Sequence, residues 1–291
     1  TSPNCWRGLG TVTSITILYD TIRLEEKLLI ESAKKNNITI EMVDCKKLFI
    51  DLDKNSHDIQ TVLQRCVSYY RNIHSTAVLE GQGVKVVNCL NTGIFAGNKL
   101  FTHMLLKKAG IETPNATVAF SKDAAMKMFD ECGFPKIIKP TVGSWGRMVS
   151  KINDMDSADG IIEGKEAMHP IHHIHFFEEF VQRPPRDIRV IVIGDNAVAA
   201  IYRNSADGNW KTNTHLGGSA ETCKITNELE DVCLKAKNTV FGDIVGVDLM
   251  ESEEKGLVVH EINNTTEFRN VVRVTGIDVP KLMLEYVKGL Q

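Results

Sequence analysis

Residues 244–263 read IVGVDLMESEEKGLVVHEIN, in which two apolar runs flank a polar segment. The pattern predicts an antiparallel hairpin with strands Ile244–Met250 and Leu257–Asn263, joined by a turn at Glu251–Gly256. This hairpin decides the fold class, because antiparallel strands late in the chain have to be combined with the different pattern at its start.

Three polar side chains of the hairpin are predicted to converge. Glu261 and Asn263 share one face of their strand, because side chains alternate across it, and Asp248 can lie opposite that face. Two carboxylates and one amide oxygen suit Mg²⁺, which completes its ligand shell with phosphate oxygens. A sheet face with solvated acids fits the same spacing.

A glycine-bearing loop, residues 139–147, reads KPTVGSWGR. Its glycines let backbone N–H groups approach phosphate oxygens, Ser144 adds a hydroxyl, and Lys139 and Arg147 add positive charge. The loop is not the Walker pattern, and an ordinary hairpin turn fits it as well.

A third polar feature lies in the stretch FFEEFV at residues 176–181. Glu178 and Glu179 stand inside an aromatic and apolar run, where a buried carboxylate needs hydrogen-bond donors. The amino group of a nucleotide base is one such donor. A strand edge with one of the two acids facing water is the alternative.

Composition excludes several classes of protein. The 291 residues carry 34 Lys and Arg against 37 Asp and Glu, a net charge of −3 that gives no bulk attraction for nucleic acid or an anionic membrane. Seven scattered cysteines without a C-x-x-C pair argue against a disulfide framework and a zinc knuckle. We therefore expect a cytoplasmic protein, with residues 1–13 as a disordered extension.

The chain starts as α/β and continues as α+β. Strand Ile15–Tyr19, helix Leu24–Lys35 and strand Ile38–Val43 indicate a Rossmann-like domain over residues 14–97, with further strands expected at Ala77–Leu79 and Val84–Val87. It lacks a G-x-G-x-x-G motif, so no dinucleotide is assigned to it.

Two α+β subdomains are expected after residue 97, over residues 98–175 and 176–291. The first begins with helix Lys99–Ala109, and the second opens with a hairpin around Gly194-Asp195-Asn196.

The polar motifs, taken in order, resemble the ATP-grasp carboxylate–amine ligases. The matching features are Lys99, Lys139, the GSWGR loop, EEFV, DIR, VDL and HEIN. Within that superfamily the sequence resembles RimK and, more closely, the LysX and ArgX ligases. The stretches of closest likeness include residues 18–23, 65–68, 200–203 and 264–270. The resemblance implies an ATP-grasp fold that grips ATP between two α+β subdomains.

The resemblance also implies roles for individual residues. Nucleotide binding is implied for Lys99, Lys139, Gly143, Ser144, Trp145, Gly146, Arg147, Glu178, Glu179, Phe180, Val181, Asp187 and Asn213. Among these, Glu178 would accept from the adenine amine, and Asp187 would hold the ribose hydroxyls. Mg²⁺ binding is implied for Asp248, Glu261 and Asn263, and contact with the reacting acyl phosphate for Arg189 and Arg203. Binding of the second substrate is implied for Asn264, Thr265, Thr266, Glu267, Phe268, Asn270 and Val271.

The implied reaction joins an α-amino acid to the C-terminal glutamate of the small acidic carrier protein LysW through an acyl phosphate, in lysine or arginine biosynthesis. In this family α-aminoadipate preference goes with Asn and then Ser or Thr after the E-F-K/R triplet, and glutamate preference with Gly-Phe. Asn270-Val271 matches the first position only, which favours α-aminoadipate and leaves glutamate open. Relatives assemble as dimers or tetramers.

Other interpretations remain at this point. Leu216 departs from relatives that have Arg before the two glycines, which puts a phosphate or substrate contact there in doubt. A RimK-like ligase that adds glutamate to a protein tail is one alternative, although such ligases usually have Ser-Pro-Gly where this chain has Asn264–Asn270. A silent nucleotide-binding module is another, although such a protein is expected to lose a lysine or a metal ligand.

Overall fold

A parallel sheet forms the N-terminal part of the protein, whose computed structural model describes residues 14–53, 61–143, 146–206, 210–212 and 218–291. Its strands β1 to β4 lie in the order β2-β1-β3-β4. Their bounds are Ile15–Tyr19, Ile40–Asp44, Thr61–Gln64 and Lys85–Val87. Helices α1, α2 and α3 span Leu24–Lys35, Tyr69–Gly81 and Leu90–Ala96. The predicted β1 and α1 are confirmed residue for residue.

One prediction in this part was wrong, and one strand was missed. Ala77–Leu79 is helical, because Ser68 caps α2 by accepting from the Arg71 backbone N–H and the helix runs on to Gly81. Strand β3 was missed, since Thr61 and Gln64 lie at the ends of a short run that is buried throughout and shows no alternation.

A second sheet, in the order β5-β8-β6-β7, is antiparallel. Its strands β5 to β8 are Ala116–Ala119, Lys136–Lys139, Ser150–Ile152 and His175–Glu179, and helices α4, α5 and α6 span Lys99–Lys108, Lys122–Cys132 and Met155–Glu166. The expected boundary between residues 175 and 176 falls inside β8. Since β8 hydrogen-bonds to β5 and β6, this sheet continues to Glu179.

The third sheet has five strands in the order β11-β10-β9-β12-β13. Strands β9 to β13 are Arg186–Ile193, Asn196–Asn204, Ser219–Thr222, Ile244–Ser252 and Gly256–Asn263, and helices α7, α8 and α9 span Asn227–Thr239, Arg269–Thr275 and Val279–Lys288. Both predicted hairpins are confirmed as antiparallel pairs, β9 with β10 and β12 with β13.

Two hydrophobic clusters cover the two faces of the third sheet, and one of them also includes the N-terminal sheet. One face of the third sheet packs against α7, with Leu229 and Cys233 buried. Ile191 on the other face belongs to a cluster that also contains Ile17 of β1 and Met283 of α9. The N-terminal sheet and the third sheet therefore share one core. No helix in the described ranges is both long and apolar enough to cross a membrane.

Candidate functional site

A cavity of about 430 Å³ is lined by residues of the second and third sheets and by loops of the N-terminal part. The structure brings most of the predicted site residues to its wall. They are Lys99, Lys139, Gly143, Gly146, Arg147, Glu178, Glu179, Phe180, Val181, Asp187, Arg189, Arg203, Asp248, Glu261, Asn263, Asn264, Thr265, Glu267, Asn270 and Val271. Three further predicted residues, Ser144, Trp145 and Asn213, lie outside the described residues, as do Leu216 and residues 1–13.

The hairpin β12–β13 places the predicted metal ligands together. Asp248 pairs with Glu261 and Gly246 pairs with Asn263. The Asn263 amide Nδ2 lies 3.4 Å from Asp248 Oδ2. The three side chains therefore converge on one face, as the alternation predicted.

This donor set fits Mg²⁺. Asp248 and Glu261 supply carboxylate oxygens and Asn263 an amide oxygen, the hard ligands that Mg²⁺ prefers. In the described ranges no group of three His, Cys, Asp or Glu side chains is arranged to hold a metal by itself. A cation held by two carboxylates needs further oxygens, and nucleotide phosphates commonly provide them.

Two arginines neutralise the buried acids of this site. Arg189 donates from Nε and Nη2 to the two oxygens of Asp248, both at 2.6 Å. Arg203 donates to Asp187 at 2.6 and 2.8 Å, and its Nη2 lies 3.0 Å from Asp248 Oδ2. Burial acts to raise the pKa of Asp248, but the positive charges of Arg189 and Arg203 outweigh it and hold that pKa below its usual range.

Lys99 connects the glycine loop to strand β13, which carries two of the predicted metal ligands. Its Nζ donates to the Gly143 carbonyl at 2.7 Å and lies 3.1 Å from Glu261 Oε1. The Lys99 backbone N–H also donates to the Thr141 carbonyl at 2.7 Å. Gly146 has φ +65°, a left-handed conformation that favours glycine.

The two adjacent glutamates have separate partners. Glu178 is 4 % exposed and lies 2.5 Å from Lys139 Nζ, so the acid expected at the adenine amine pairs here with a lysine expected at the phosphates. Glu179 accepts from Lys255 and from the backbone and side chain of Asn115. Their roles toward a nucleotide stay predictions.

Two residues expected to bind the second substrate do not line the cavity. Thr266 and Phe268 are both buried in the described structure, with 1 % and 0 % exposure. A Cβ on Gly246 would lie 2.2 Å from Thr266 Oγ1, and the Arg65 guanidinium lies 5.5 Å from the centre of the Phe268 ring. Both side chains therefore pack inside the protein and support the 264–271 segment. This corrects the expectation that they contact the second substrate directly.

Two family models match the chain and between them cover most of it. A LysX preATP-grasp domain matches residues 15–93, and a RimK-like ATP-grasp domain matches residues 96–287. The chain belongs to the RimK-like ATP-grasp ligases.

Two similar relatives differ in the amino acid that their names give. The chain is 37 % identical over 277 residues to the alpha-aminoadipate–LysW ligase LysX of Sulfurisphaera tokodaii, covering 94 % of this chain and 97 % of the relative. It is 34 % identical over 275 residues to the glutamate–LysW ligase ArgX of the same organism, covering 94 % and 98 %.

The fold is similar to that of a solved RimK domain ATP-grasp protein from Sphaerobacter thermophilus. The TM-score is 0.75 at 21 % identity, covering 94 % of this chain and 99 % of that one.

The N-terminal part of this ligase also lines the cavity, which the sequence reasoning missed. Arg23, Cys66, Tyr69 and Asn72 reach the wall. Asn72 Nδ2 lies 3.3 Å from Thr265 Oγ1, so α2 contacts the segment that follows the predicted metal ligands. A signal was available, because residues 18–23 and 65–68 carry part of the family resemblance.

Arg23 is held by a buried ion-pair cluster. It donates to both oxygens of Glu26, at 3.0 and 2.8 Å, and Arg65 Nε donates to Glu26 at 3.0 Å. Burial alone would raise the pKa of Glu26, but the hydrogen bond from Arg23 and the charge of Arg65 lower it to about 2. Glu26 therefore stays ionised and fixes both arginines.

His260 was also missed. It lines the cavity, and burial together with the charge of Lys139 lowers the pKa of its ring well below the usual value. Strict alternation would place it on the face opposite Glu261. Arg183 is a further cavity residue that the motifs did not identify. Arg269 also lines the cavity; it lies in the 264–270 stretch of the family resemblance but was not among the residues expected to bind substrate.

Proposed function

We propose that this ligase joins the amino group of α-aminoadipate, with glutamate as a second substrate, to the C-terminal glutamate of a small acidic LysW-type carrier protein. The reaction uses ATP and Mg²⁺ and belongs to lysine or arginine biosynthesis. The observation that carries the proposal is that residues of the 264–271 segment line the same cavity as the Arg189–Asp248 cluster. The names of the relatives supply the carrier and the two amino acids.

The first step forms an acyl phosphate. An oxygen of the carrier carboxylate attacks the γ-phosphorus of ATP, and the bond to the β-phosphate oxygen breaks, releasing ADP. Such a transfer depends on positioning and charge neutralisation, which explains a site made of lysines and arginines without a nucleophilic triad. Lys99, Lys139, Arg189 and Arg203 all line the cavity. We propose that the two lysines hold phosphates and that the two arginines neutralise the transferred group. Mg²⁺ held by Asp248, Glu261 and Asn263 would neutralise charge on the phosphate oxygens.

The second step forms the amide. The unprotonated amino group attacks the acyl carbon, and the bond from that carbon to the phosphate oxygen breaks. The departing inorganic phosphate takes up the proton that the nitrogen releases. Residues 139–143 and 146–147 of the glycine-bearing loop are proposed to help keep water from the acyl phosphate. Lys99 supports that role, because it links the loop at Gly143 to Glu261 on β13.

Asn270 and Val271 are the proposed determinants of the amino acid. Both line the cavity, and Val271 is 1 % exposed and belongs to the core shared with β1. A single methylene distinguishes α-aminoadipate from glutamate, which in an apolar pocket is worth only about 1–3 kcal/mol. Asn270 matches the pattern of α-aminoadipate ligases, and we propose that it sets a preference with measurable glutamate use.

A competition experiment tests this assignment. Purified ligase, ATP, Mg²⁺ and carrier are mixed with equal concentrations of both amino acids, and the carrier products are separated by mass. We expect the α-aminoadipyl product to exceed the glutamyl product about tenfold, in line with one methylene. The double variant Asn270→Gly with Val271→Phe should move the ratio toward glutamate. A wild-type excess of glutamyl carrier would overturn the preference while leaving the carrier-ligase assignment in place.

A further inference from the structure

A β-bulge in the metal-ligand strand changes which side chains face the cavity. Asp248 pairs with Glu261, but the next residue, Leu249, pairs with Val259. His260 is the extra residue of this bulge, and an extra residue breaks the regular alternation of side chains. His260 and Glu261, although adjacent in sequence, therefore both line the cavity.

The ring of His260 is enclosed but lacks hydrogen-bond partners. Its side chain is 12 % exposed, and neither Nδ1 nor Nε2 has a partner among the described residues. Buried polar groups are nearly always hydrogen-bonded, and leaving one unpaired is costly. A ring in the wall of a binding cavity that lacks a protein partner is placed to meet a ligand.

The surroundings of the ring indicate which part of the ligand it meets. His260 Nε2 lies 4.0 Å from Asp187 Oδ2, the acid that the resemblance places at the ribose. Arg203 already donates to both oxygens of Asp187, and the Thr212 hydroxyl donates to Oδ2 as well. Three hydrogen bonds leave Asp187 little capacity for two ribose hydroxyls.

We propose that His260 is a nucleotide-binding residue that hydrogen-bonds a ribose hydroxyl of ATP beside Asp187. An imidazole with one donor and one acceptor complements a hydroxyl, which is both. Phosphate oxygens only accept, and Lys99 and Lys139 serve them better as point charges. The inference rests on the use of ATP in the proposed function.

Deoxynucleotides test the contact directly. The affinities of the full-length ligase for ATP, 2′-deoxy-ATP and 3′-deoxy-ATP are measured by calorimetry with Mg²⁺ and without carrier or amino acid. We expect wild type to bind at least one deoxy analogue about tenfold more weakly than ATP, because a buried hydrogen bond is lost. In His260→Met that ratio should fall to about twofold, and His260→Gln should restore part of it.

A matched control is available on helix α4. His103 packs edge-on against Phe176 and is absent from the cavity wall, so His103→Met should keep the wild-type ratio. An unchanged ratio in a folded His260→Met variant would overturn the proposal. Equal wild-type affinity for ATP and both analogues would overturn it without any variant. Failure of wild type to bind ATP at all would instead contradict the proposed function.

Discussion

Arg189 on strand β9 and Asp248 on strand β12 face each other across adjacent strands and are joined by two hydrogen bonds of 2.6 Å. Asp248 is 1 % exposed, so its charge depends on this partner and on Arg203. The same carboxylate is a predicted Mg²⁺ ligand. Arg189 and Arg203, which are expected to contact the acyl phosphate, are thus fixed by Asp248, which is expected to bind Mg²⁺. A change at the predicted metal site should therefore also affect the predicted acyl-phosphate site.

Arg189→Lys should lower kcat/KM about 100-fold, because lysine keeps the charge but loses the two-pronged geometry that holds Asp248 and that is expected at the transferred group. Steady-state ADP release measures this. Arg186→Lys is the matched control, since Arg186 lies on the same strand and pairs similarly with Glu251 on β12 but does not line the cavity. Equal loss in both variants would show that the effect is structural.

Glu261→Gln should abolish turnover and leave the fold intact. The change removes one of two predicted metal carboxylates and the partner of Lys99, while a side chain that is 26 % exposed tolerates an amide. Circular dichroism checks that the fold is intact, and ADP release checks that turnover is lost. Glu253→Gln, in the exposed β12–β13 turn, serves as the control. An active Glu261→Gln enzyme contradicts the metal assignment.

Gly246→Ala should raise the KM for the amino acid more than the KM for ATP. Its new methyl group would lie 2.2 Å from Thr266 Oγ1 and displace the segment that supports Asn264 and Thr265. Gly160→Ala is the control, because a Cβ added at Gly160 in helix α6 would meet no atom within 4 Å. Alanine there should stabilise the protein by up to about 1 kcal/mol. Unchanged amino-acid kinetics in Gly246→Ala would argue against this support.

Glu26 should make the protein sensitive to acid. Its pKa is lowered to about 2 in the folded protein, so its stabilisation is present above the ordinary value near 4.5 and is lost as pH falls from there through about 2. The loss is on the order of 3 kcal/mol. Urea unfolding at pH values from roughly 6 down to about 1.5, which passes both pKa values, measures it.

The Glu26→Gln variant should be less stable at neutral pH, since Arg65 keeps its burial but loses its charged partner, and its stability should change less with acid. Exposed Glu31→Gln should behave like wild type. The same acid dependence in Glu26→Gln would assign the effect to other carboxylates.

The sequence was sufficient for elements whose pattern is local. Helix α1, strand β1 and the β12–β13 hairpin follow from periodicity and turn residues, and the convergence of Asp248 with Glu261 follows from alternation. Helix α2 was misread in part because three apolar residues do not distinguish a strand from a helix.

The remaining differences depend on tertiary structure. A bulge shifts register by one residue without a sequence marker, which is why His260 was missed. Thr266 and Phe268 lie in a segment whose exposure depends on Gly246 and Arg65, far away in the chain. Local patterns carry no information about such contacts.

The proposed reaction joins an amino acid to the C-terminal glutamate of a carrier protein and converts one ATP to ADP and phosphate. Mass spectrometry of the carrier after incubation with ligase, ATP, Mg²⁺ and α-aminoadipate tests it most directly, alongside a carrier whose last glutamate is deleted. We predict that the intact carrier gains one α-aminoadipyl residue for each ADP released and that the truncated carrier gains none. ADP release that is the same with the intact and the truncated carrier, with no mass gain on the intact carrier, would contradict the proposed reaction.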